Sequence, residues 1–333
     1  MSTLFAFSCT ECKMGVQEQI ALPEDCITLA NEKISVTIGK DGKLYSLKNE
    51  VTKQEYVSTS GDYLWRIYYD THAEEEIQVL GEQSSVKVSK EGDTIILHYP
   101  TVTAHDKELK FALTLKVILE DDKVRFAADI ANNEPHTIIR ELQYPLIRDI
   151  QAPADHKLFT AHAGGKLHDN PIKTICDISP KHYFRPEQYF YEHYIRYGYC
   201  VFMNCFALLG EEQGLYFGSH DKTFQDTTHG LRVYKRDNGK FDILELGFYK
   251  YPHCMCGSSW SNDSNVVSPY AGTWHNAADM YRAWANEWFD YKPAPEWVQK
   301  MRSWQRVIFK HQYGEYFFKY PDLYGRLKDV DKS

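Results

Sequence analysis

Much of what this chain could have been is excluded by what it lacks. It has no run of about 18 apolar residues, the length a membrane-spanning helix needs, so no spanning helix is expected. It has no long basic run, and its 38 Lys and Arg are outnumbered by 46 Asp and Glu, for a formal net charge of −8. Neither nucleic acid nor an anionic membrane is therefore an expected partner. Cysteine is sparse, and eight in 333 residues do not make a disulfide framework. The opening "MSTLFAFSCTECKMG" has no Lys or Arg before Lys13 and only a short apolar stretch. No secretory signal is expected from it, and the reading is a cytoplasmic protein with reduced thiols. No internal repeat, low-complexity tract, Walker-type loop or dinucleotide fingerprint is present. The Gly pair of "HAGGK" follows neither phosphate-loop spacing, and no cofactor is predicted.

What is present is ordinary globular composition with one excess. Hydrophobic residues make up 43% and charged residues 25%, as in most soluble domains. The aromatic share is 14%, led by 24 Tyr. Tyrosine combines a flat apolar face with a polar tip, which suits cores, interfaces and ring-stacking surfaces alike. The length fits one large β domain and a smaller piece.

Strand periodicity dominates from residue 27 to about 250. In "KISVTIGKDGKLYSLKN", Ile34, Val36 and Ile38 alternate with Lys33, Ser35 and Thr37, and Asp41-Gly42 supplies a tight turn. "VKVSKEGDTIILHY" repeats the design around Gly92. The clearest case is "LKFALTLKVILEDDKVRFAADI". Leu109, Phe111, Leu113, Leu115, Val117 and Leu119 lie on one face, and Val124, Phe126, Ala128 and Ile130 follow across an acidic turn. Such a pair has one buried and one wetter face, as antiparallel sheets do. Further strands are predicted at 140–150, 157–162, 198–209, 214–219, 230–235 and 241–248. Many strands with short turns indicate a mainly β fold of two antiparallel sheets packed face to face.

Residues 163–197 break the pattern. The segment reads as a long loop dense in Tyr and His, either functional or a lid over the sandwich. At residue 273 the period changes. In "TWHNAADMYRAWANEWF", Trp274, Ala277, Ala278, Tyr281, Trp284, Ala285 and Trp288 follow helical spacing, with Thr273 as N-cap and Pro293 and Pro295 beyond the end. Its three Trp need a large apolar partner, so the stripe reads as a docking face rather than a ligand site. "KPAPEWVQKM" is then a stiff linker and "SWQRVIFKH" the next strand.

Three stretches carry a family resemblance. "LANEKISVTIGKDGKLYSLKNEVTKQEY" resembles the opening hairpin of the galactose-mutarotase-like supersandwich that precedes many glycoside hydrolase barrels. "EEQGLYFGSHD" is similar to a late strand and turn of that domain. "VVSPYAGTWHNAADMYRAWANEWF" resembles the helix leading from it into the barrel, with Tyr270, Gly272, Trp274, His275, Ala277 and Ala278 matching its pattern. The closing "WQRVIFKHQYGEYFFKYPDL" is similar to the first barrel strand of an uncharacterised, glycosidase-like bacterial group. The resemblance implies an N-terminal segment (1–24), a β-supersandwich (25–270), an amphipathic linker helix (271–292) and the first strand and loop of an incomplete (β/α)8 barrel (293–333). A full barrel needs about 250 residues, so the expectation is a chain that stops after one barrel strand.

Glycoside hydrolysis uses two carboxylates across the scissile bond, placed in barrel enzymes at the C-terminal ends of strands. The resemblance implies that these belong to later strands. A carbohydrate-associated chain that does not hydrolyse glycosides by itself is therefore expected. Lys310, His311, Gln312 and Glu315 would line the functional face and hold sugar hydroxyls, although they also fit ordinary polar residues at a strand end. His220 and Asp221 are further candidates for substrate contact. An aldose mutarotase is an alternative needing only a sandwich. It requires a general acid and a general base, for which His162, His168 and His220 with Asp221 or Glu245 are candidates, though no spacing singles out a pair. A non-catalytic carbohydrate-binding module is a third reading. Tyr183, Phe184, Tyr189, Tyr191 and Tyr194 would be its stacking cluster, unless they simply pack beneath the loop. Cys9-x-x-Cys12 with His253, Cys254 and Cys256 has partial zinc spacing, but unligated thiols are the expectation. The Trp helix and the strand around Val307–Phe309 predict either a homodimer through the C-terminal region or a tail folded back on the sandwich.

Overall fold

The computed structural model describes residues 23–75, 77–178, 190–198, 201–290 and 292–302. Among them, antiparallel strands form two large sheets, a four-stranded sheet and a two-stranded ribbon. The larger sheet has nine strands in the order Lys166–His168, Lys157–His162, Val201–Leu209, Gln213–Ser219, Ser258–Ala271, Val124–Asn132, Phe111–Leu119, Thr94–Tyr99 and Lys87–Glu91. The other large sheet runs Phe190–Arg196, Thr227–Lys235, Phe241–Lys250, Thr137–Ile147, Arg66–Thr71 and Ile77–Leu80, with Cys254–Met255 pairing to its fourth strand. The molecule is the mainly β, two-sheet antiparallel sandwich expected from the strand pattern.

Its core comes from the alternating positions. Leu113, Leu115, Val117, Phe126 and Ile130 of the larger sheet share one buried cluster with Ile67, Leu142, Leu231, Leu244, Leu246 and Phe248 of the other. Fully burying each such side chain is worth about 1.5–3 kcal/mol. The pairing of Phe111–Leu119 with Val124–Asn132 sets Leu115 opposite Ala128 and Val117 opposite Phe126, so both apolar faces point the same way, as their spacing predicts. The hairpin after Ile34–Gly39 turns at Gly42, whose φ of 81° suits glycine. Here the expected wetter face is missing: Ser35 and Thr37 are buried as well. Hydrogen bonds compensate, since Ser35 Oγ donates to Glu50 at 2.6 Å and the Thr37 and Thr28 hydroxyls lie 2.9 Å apart.

Three expectations need correction. The strand pattern does not end near residue 250. Ser258–Ala271 is a 14-residue strand at the heart of the larger sheet, and residues 266–271 belong to it rather than to a helix approach. "SSWSNDSN" is poor in strand formers, yet it is held by side-chain bonds such as Ser261 to Asp129 at 2.8 Å and Asn265 to the Tyr144 carbonyl at 2.8 Å. The segment 163–197 is likewise not one loop. It contains the short strand Lys166–His168, helix α1 (Pro171–Ile178) and the edge strand Phe190–Arg196, so Tyr191 and Tyr194 sit on a strand. Tyr183, Phe184 and Tyr189 lie outside the described residues.

The third correction concerns the Trp stripe. Helix α2 (Trp274–Asn286) begins where predicted, with Thr273 as N-cap in a reciprocal capping box with Asn276. Ala277 and Trp284 are buried, but Trp274 is 54% exposed and stacks on His275. Trp274 starts the helix, one turn before the face that meets the sandwich. Ala277 joins a second buried cluster with Tyr216, Val266 and Tyr270, against which Met280 and Tyr281 also pack. The docking role is thus met by the larger sheet itself.

The chain divides into two compact units, residues 1–288 and 289–333. In the second, the "EWVQ" of the expected linker forms a short helix, α3 (Glu296–Gln299). The predicted barrel strand, with Lys310, His311, Gln312 and Glu315, lies outside the described residues. Among the described residues no helix is long and apolar enough to cross a membrane.

Candidate functional site

The strands of the seven-stranded sheet send alternate residues to opposite faces. Leu231, Val233, Leu244 and Leu246 enter the core, which turns Arg232, Tyr234 and Glu245 to the other side. On that side the register builds a cross-strand row. Glu192 stands opposite Arg232 and Arg232 opposite Glu245. Gln143 stands opposite Arg66 two strands further on. All of these side chains are buried.

The row is tightly bonded. Arg232 Nε donates to Glu192 Oε1 at 2.5 Å, and Tyr249 Oη donates to the same oxygen at 3.0 Å. Arg66 grips Glu245 with both terminal nitrogens, at 3.3 and 3.2 Å, and donates to Gln143 at 2.6 Å. The Tyr234 hydroxyl accepts from Arg66 at 2.8 Å and donates to Glu245 at 3.1 Å. Burial works to raise the Glu245 pKa, but Arg66, Arg232 and Arg148 outweigh it and hold the carboxyl below its ordinary value. At neutral pH Glu245 is therefore an anion. Arg148 lies over the Tyr234 ring at 4.3 Å and approaches Asp62 at 3.4 Å. Asp62 shows the reverse balance, since burial outweighs the pull of Arg148 and pushes its pKa up.

Where the edge strand Phe190–Arg196 ends, a cavity of about 720 Å³ opens, lined by His162, His193, Tyr194, Arg196, Tyr197 and Gly198 among others. Tyr194 and Arg196 stand on the same side of their strand as Glu192, one and two steps along it. Tyr194 is half exposed. His193 points the other way, with its ring 6.3 Å from that of His162 at the end of Lys157–His162. Burial, reinforced by His162, His168 and Lys166, lowers the His193 pKa to about 4, so this imidazole is neutral at pH 7. His168 stands at the same end of the sandwich, 3.5 Å from the Thr160 hydroxyl, and burial lowers its pKa too.

The other predicted residues are scattered. His220 lies flat against Trp284 of α2, with ring centroids 5.0 Å apart and planes 9° apart, and its Nε2 is 2.9 Å from the Tyr216 hydroxyl. Burial drops its pKa to about 3. Asp221 turns instead to Lys250. The Lys250 ammonium donates to Thr227 at 2.6 Å, Ser219 at 3.0 Å and Asp221 at 3.3 Å. Burial lowers the Lys250 pKa to about 8, against the pull of Asp221. These bonds tie the two sheets together between Gln213–Ser219 and Phe241–Lys250. His220, Asp221 and Glu245 thus occupy three separate environments, and of the predicted histidines His162 is the one that lines the cavity among the described residues.

Among the described residues the cysteine positions build no shared centre. The Cys254 thiol is buried and bonds to Ser258, Cys256 is exposed, and Cys9 and Cys12 lie outside the described residues. Among the described residues no group of three or more His, Cys, Asp or Glu could hold a metal ion. Sequence reasoning missed Arg66, Gln143, Glu192, Arg232 and His193. "GLRVYK" and "ILELGFYK" carry the alternation that places Arg232 and Glu245 on one face, but an outward charge in a strand reads as solvated.

Fold and site together define a two-sheet β-sandwich with a charged, buried row on one sheet and a histidine-lined cavity at its edge. No protein-family model matches the chain. No curated protein matches it. Among solved structures, it is similar to a GH36 α-galactosidase of Geobacillus stearothermophilus in complex with raffinose, at 10% identity and a TM-score of 0.44 over 77% of this chain and 42% of that one. It is similar to an α-N-acetylgalactosaminidase of Bifidobacterium bifidum, at 9% identity and a TM-score of 0.49 over 78% of this chain and 39% of that one. A galactose mutarotase related enzyme of Lactobacillus acidophilus matches at 10% identity and a TM-score of 0.45, over 74% of this chain and 98% of that one. The chain thus spans about two-fifths of the two glycosidases and nearly all of the mutarotase-related protein.

Proposed function

We propose that this chain is a carbohydrate-binding β-sandwich akin to the N-terminal part of a glycoside hydrolase, and that it binds sugar without cleaving it. The observation that carries the reading is the edge cavity of about 720 Å³, with half-exposed Tyr194 beside Arg196 and His162. A tyrosine face can stack on the apolar face of a sugar ring while guanidinium and imidazole groups bond its hydroxyls. The neighbouring carboxylates favour binding over proton transfer, because Glu192 and Glu245 are each engaged by a guanidinium. A general acid needs a pKa near the working pH, and that of Glu245 is pulled the other way. On the same reading Lys310, His311, Gln312 and Glu315 belong to the first strand and loop of an incomplete barrel and hold sugar hydroxyls.

Calorimetric titration with galactose, glucose and their oligosaccharides tests the proposal. Saturable binding is expected, weakened about tenfold or more in Tyr194→Ala, the equivalent of about 1.4 kcal/mol. Turnover of aryl glycosides by the purified 333-residue chain would overturn it. A second reading, an aldose mutarotase, draws on the His162 and His193 rings, which lie edge to face with centroids 6.3 Å apart. In that reading His162 and His193 would be the proton-transfer pair. It requires faster polarimetric equilibration of a fresh aldose anomer, abolished by His193→Asn. An unaccelerated time course excludes it.

A further inference from the structure

Among the described residues that line the edge cavity, Arg196 carries the one permanent charge. Its side chain is largely exposed, yet it is held on two sides. Nε donates to Asp226 Oδ1 at 2.9 Å, and Nη2 donates to the other carboxylate oxygen. The guanidinium also lies over the Tyr251 ring, 5.7 Å from its centre. An unheld arginine samples many rotamers, and a ligand that must order it binds more weakly. Arg196 is ordered before any ligand arrives.

Asp226 is itself held. It closes the loop 220–226 between the strands Gln213–Ser219 and Thr227–Lys235, and that loop is built around Asp221. The Asp221 carboxylate accepts from the Thr223 N–H at 2.7 Å, the Thr223 hydroxyl at 2.6 Å and the Gln225 N–H at 2.8 Å. Phe224, between these anchors, has a φ of 57°, a left-handed conformation that a bulky side chain rarely adopts. Such backbone persists only where its surroundings enforce it. Lys250 supplies the enforcement. Its buried ammonium bonds Asp221 at 3.3 Å and Thr227 at 2.6 Å, and the Thr227 hydroxyl in turn donates to the Gln225 carbonyl at 2.8 Å. A chain of contacts thus runs from Lys250, between the sheets, through the loop to Arg196 at the cavity wall.

We propose that Asp226 is a positioning residue of the edge cavity, setting the pose in which Arg196 meets the ligand, and that the Lys250–Asp221 ion pair fixes the loop that carries it. The inference rests on the sugar-binding reading of that cavity and adds a dependence on pH. The charged groups acting on Lys250 are Asp221 and Asp226, which favour its ammonium form, while burial outweighs them and lowers its pKa to about 8. Nearby His229 is buried and neutral at pH 7, and burial with Asp221 keeps Tyr197 protonated. As pH rises through about 8, Lys250 loses its proton, Asp221 loses its buried counter-charge and the strained loop loosens. Arg196 stays charged throughout but loses its fixed pose.

The test is calorimetric titration of the full chain with D-galactose and D-glucose between pH 7 and pH 9. Asp226→Asn removes the charge that grips Arg196. Binding about tenfold weaker is expected, at an unchanged melting temperature, because an exposed ion pair adds little to stability. Arg196→Met should cost at least as much. The double variant should bind no more weakly than Arg196→Met alone, since Asp226 acts only through Arg196. Wild-type affinity should fall severalfold across the pH range, and Arg196→Met should remove that fall. Losses that add in the double variant, full affinity in Asp226→Asn, or a wild-type affinity constant from pH 7 to pH 9 would each overturn the inference while leaving sugar binding intact. No binding by the wild type at pH 7 would overturn the sugar reading and this inference together.

Discussion

Arg232 stands directly across the strand pair from Glu192, and its Nε reaches the carboxylate at 2.5 Å inside a region where both side chains are buried. On its other flank it faces Glu245 across the next strand pair. One guanidinium therefore neutralises two buried acids, and Arg66 supports the second of them. This row makes the sheet's second face rigid without making it apolar.

Removing the shared cation should be far costlier than removing a surface charge. Arg232→Met leaves Glu192 facing a hydrocarbon and weakens the hold on Glu245. A loss of about 3–5 kcal/mol is expected, as for other broken buried pairs. Combining it with Glu192→Gln should recover part of that loss. Urea denaturation of the single and double variants measures both. A single-variant loss under about 1 kcal/mol, the value of an exposed pair, would show that water reaches the row.

Acid should destabilise the fold through its buried imidazoles. Burial holds His220 and His229 near pKa 3, below the ordinary 6.5. Between about pH 6.5 and 3 the unfolded chain binds protons that the folded chain refuses, so stability falls as pH falls, by up to about 1.4 kcal/mol per pH unit for each group. Glu245 acts in the same direction, because the stability from its lowered pKa is lost as the carboxylate protonates. Urea midpoints across this range should decline steadily, and less steeply in His220→Phe. Constant midpoints from about pH 6.5 to 4.5 would refute the assignment.

The helix contact can be read at a single ring. Trp284 covers His220 in a near-parallel stack. Trp284→Ala should cost about 3–5 kcal/mol, as large-to-small core changes of this size do. It should also admit water, so that the His220 pKa climbs from about 3 toward 6.5, observable by NMR titration of the imidazole. A pKa that stays near 3 would mean that the sheet alone, not the helix, buries this histidine.

Gly230 marks a place where any side chain collides. A Cβ there would fall 2.1 Å from the Tyr249 ring, and Tyr249 is held in place by its bond to Glu192. Gly230→Ala is expected to destabilise by about 1–3 kcal/mol, as overpacking does. Pairing it with Tyr249→Phe should not relieve the clash, because the ring remains. Recovery in the pair would instead implicate the hydroxyl.

Apolar spacing was enough to predict the sandwich class, the Phe111–Ile130 hairpin and helix α2 after its Thr273 cap. Each depends on local spacing, which burial of one face imposes directly on the order of residues. The central strand Ser258–Ala271 escaped that logic, because its partners satisfy its Ser and Asn side chains from distant parts of the chain. So did the charged row. Arg66, Glu192, Arg232 and Glu245 come from four strands and have ordinary polar neighbours in sequence. Only the stacking of those strands removes water from them and turns outward charges into buried pairs. The same holds for His220 and Asp221, adjacent in sequence just beyond the strand Gln213–Ser219, which the fold sends to different partners: one against a helix, the other to an ammonium between the sheets.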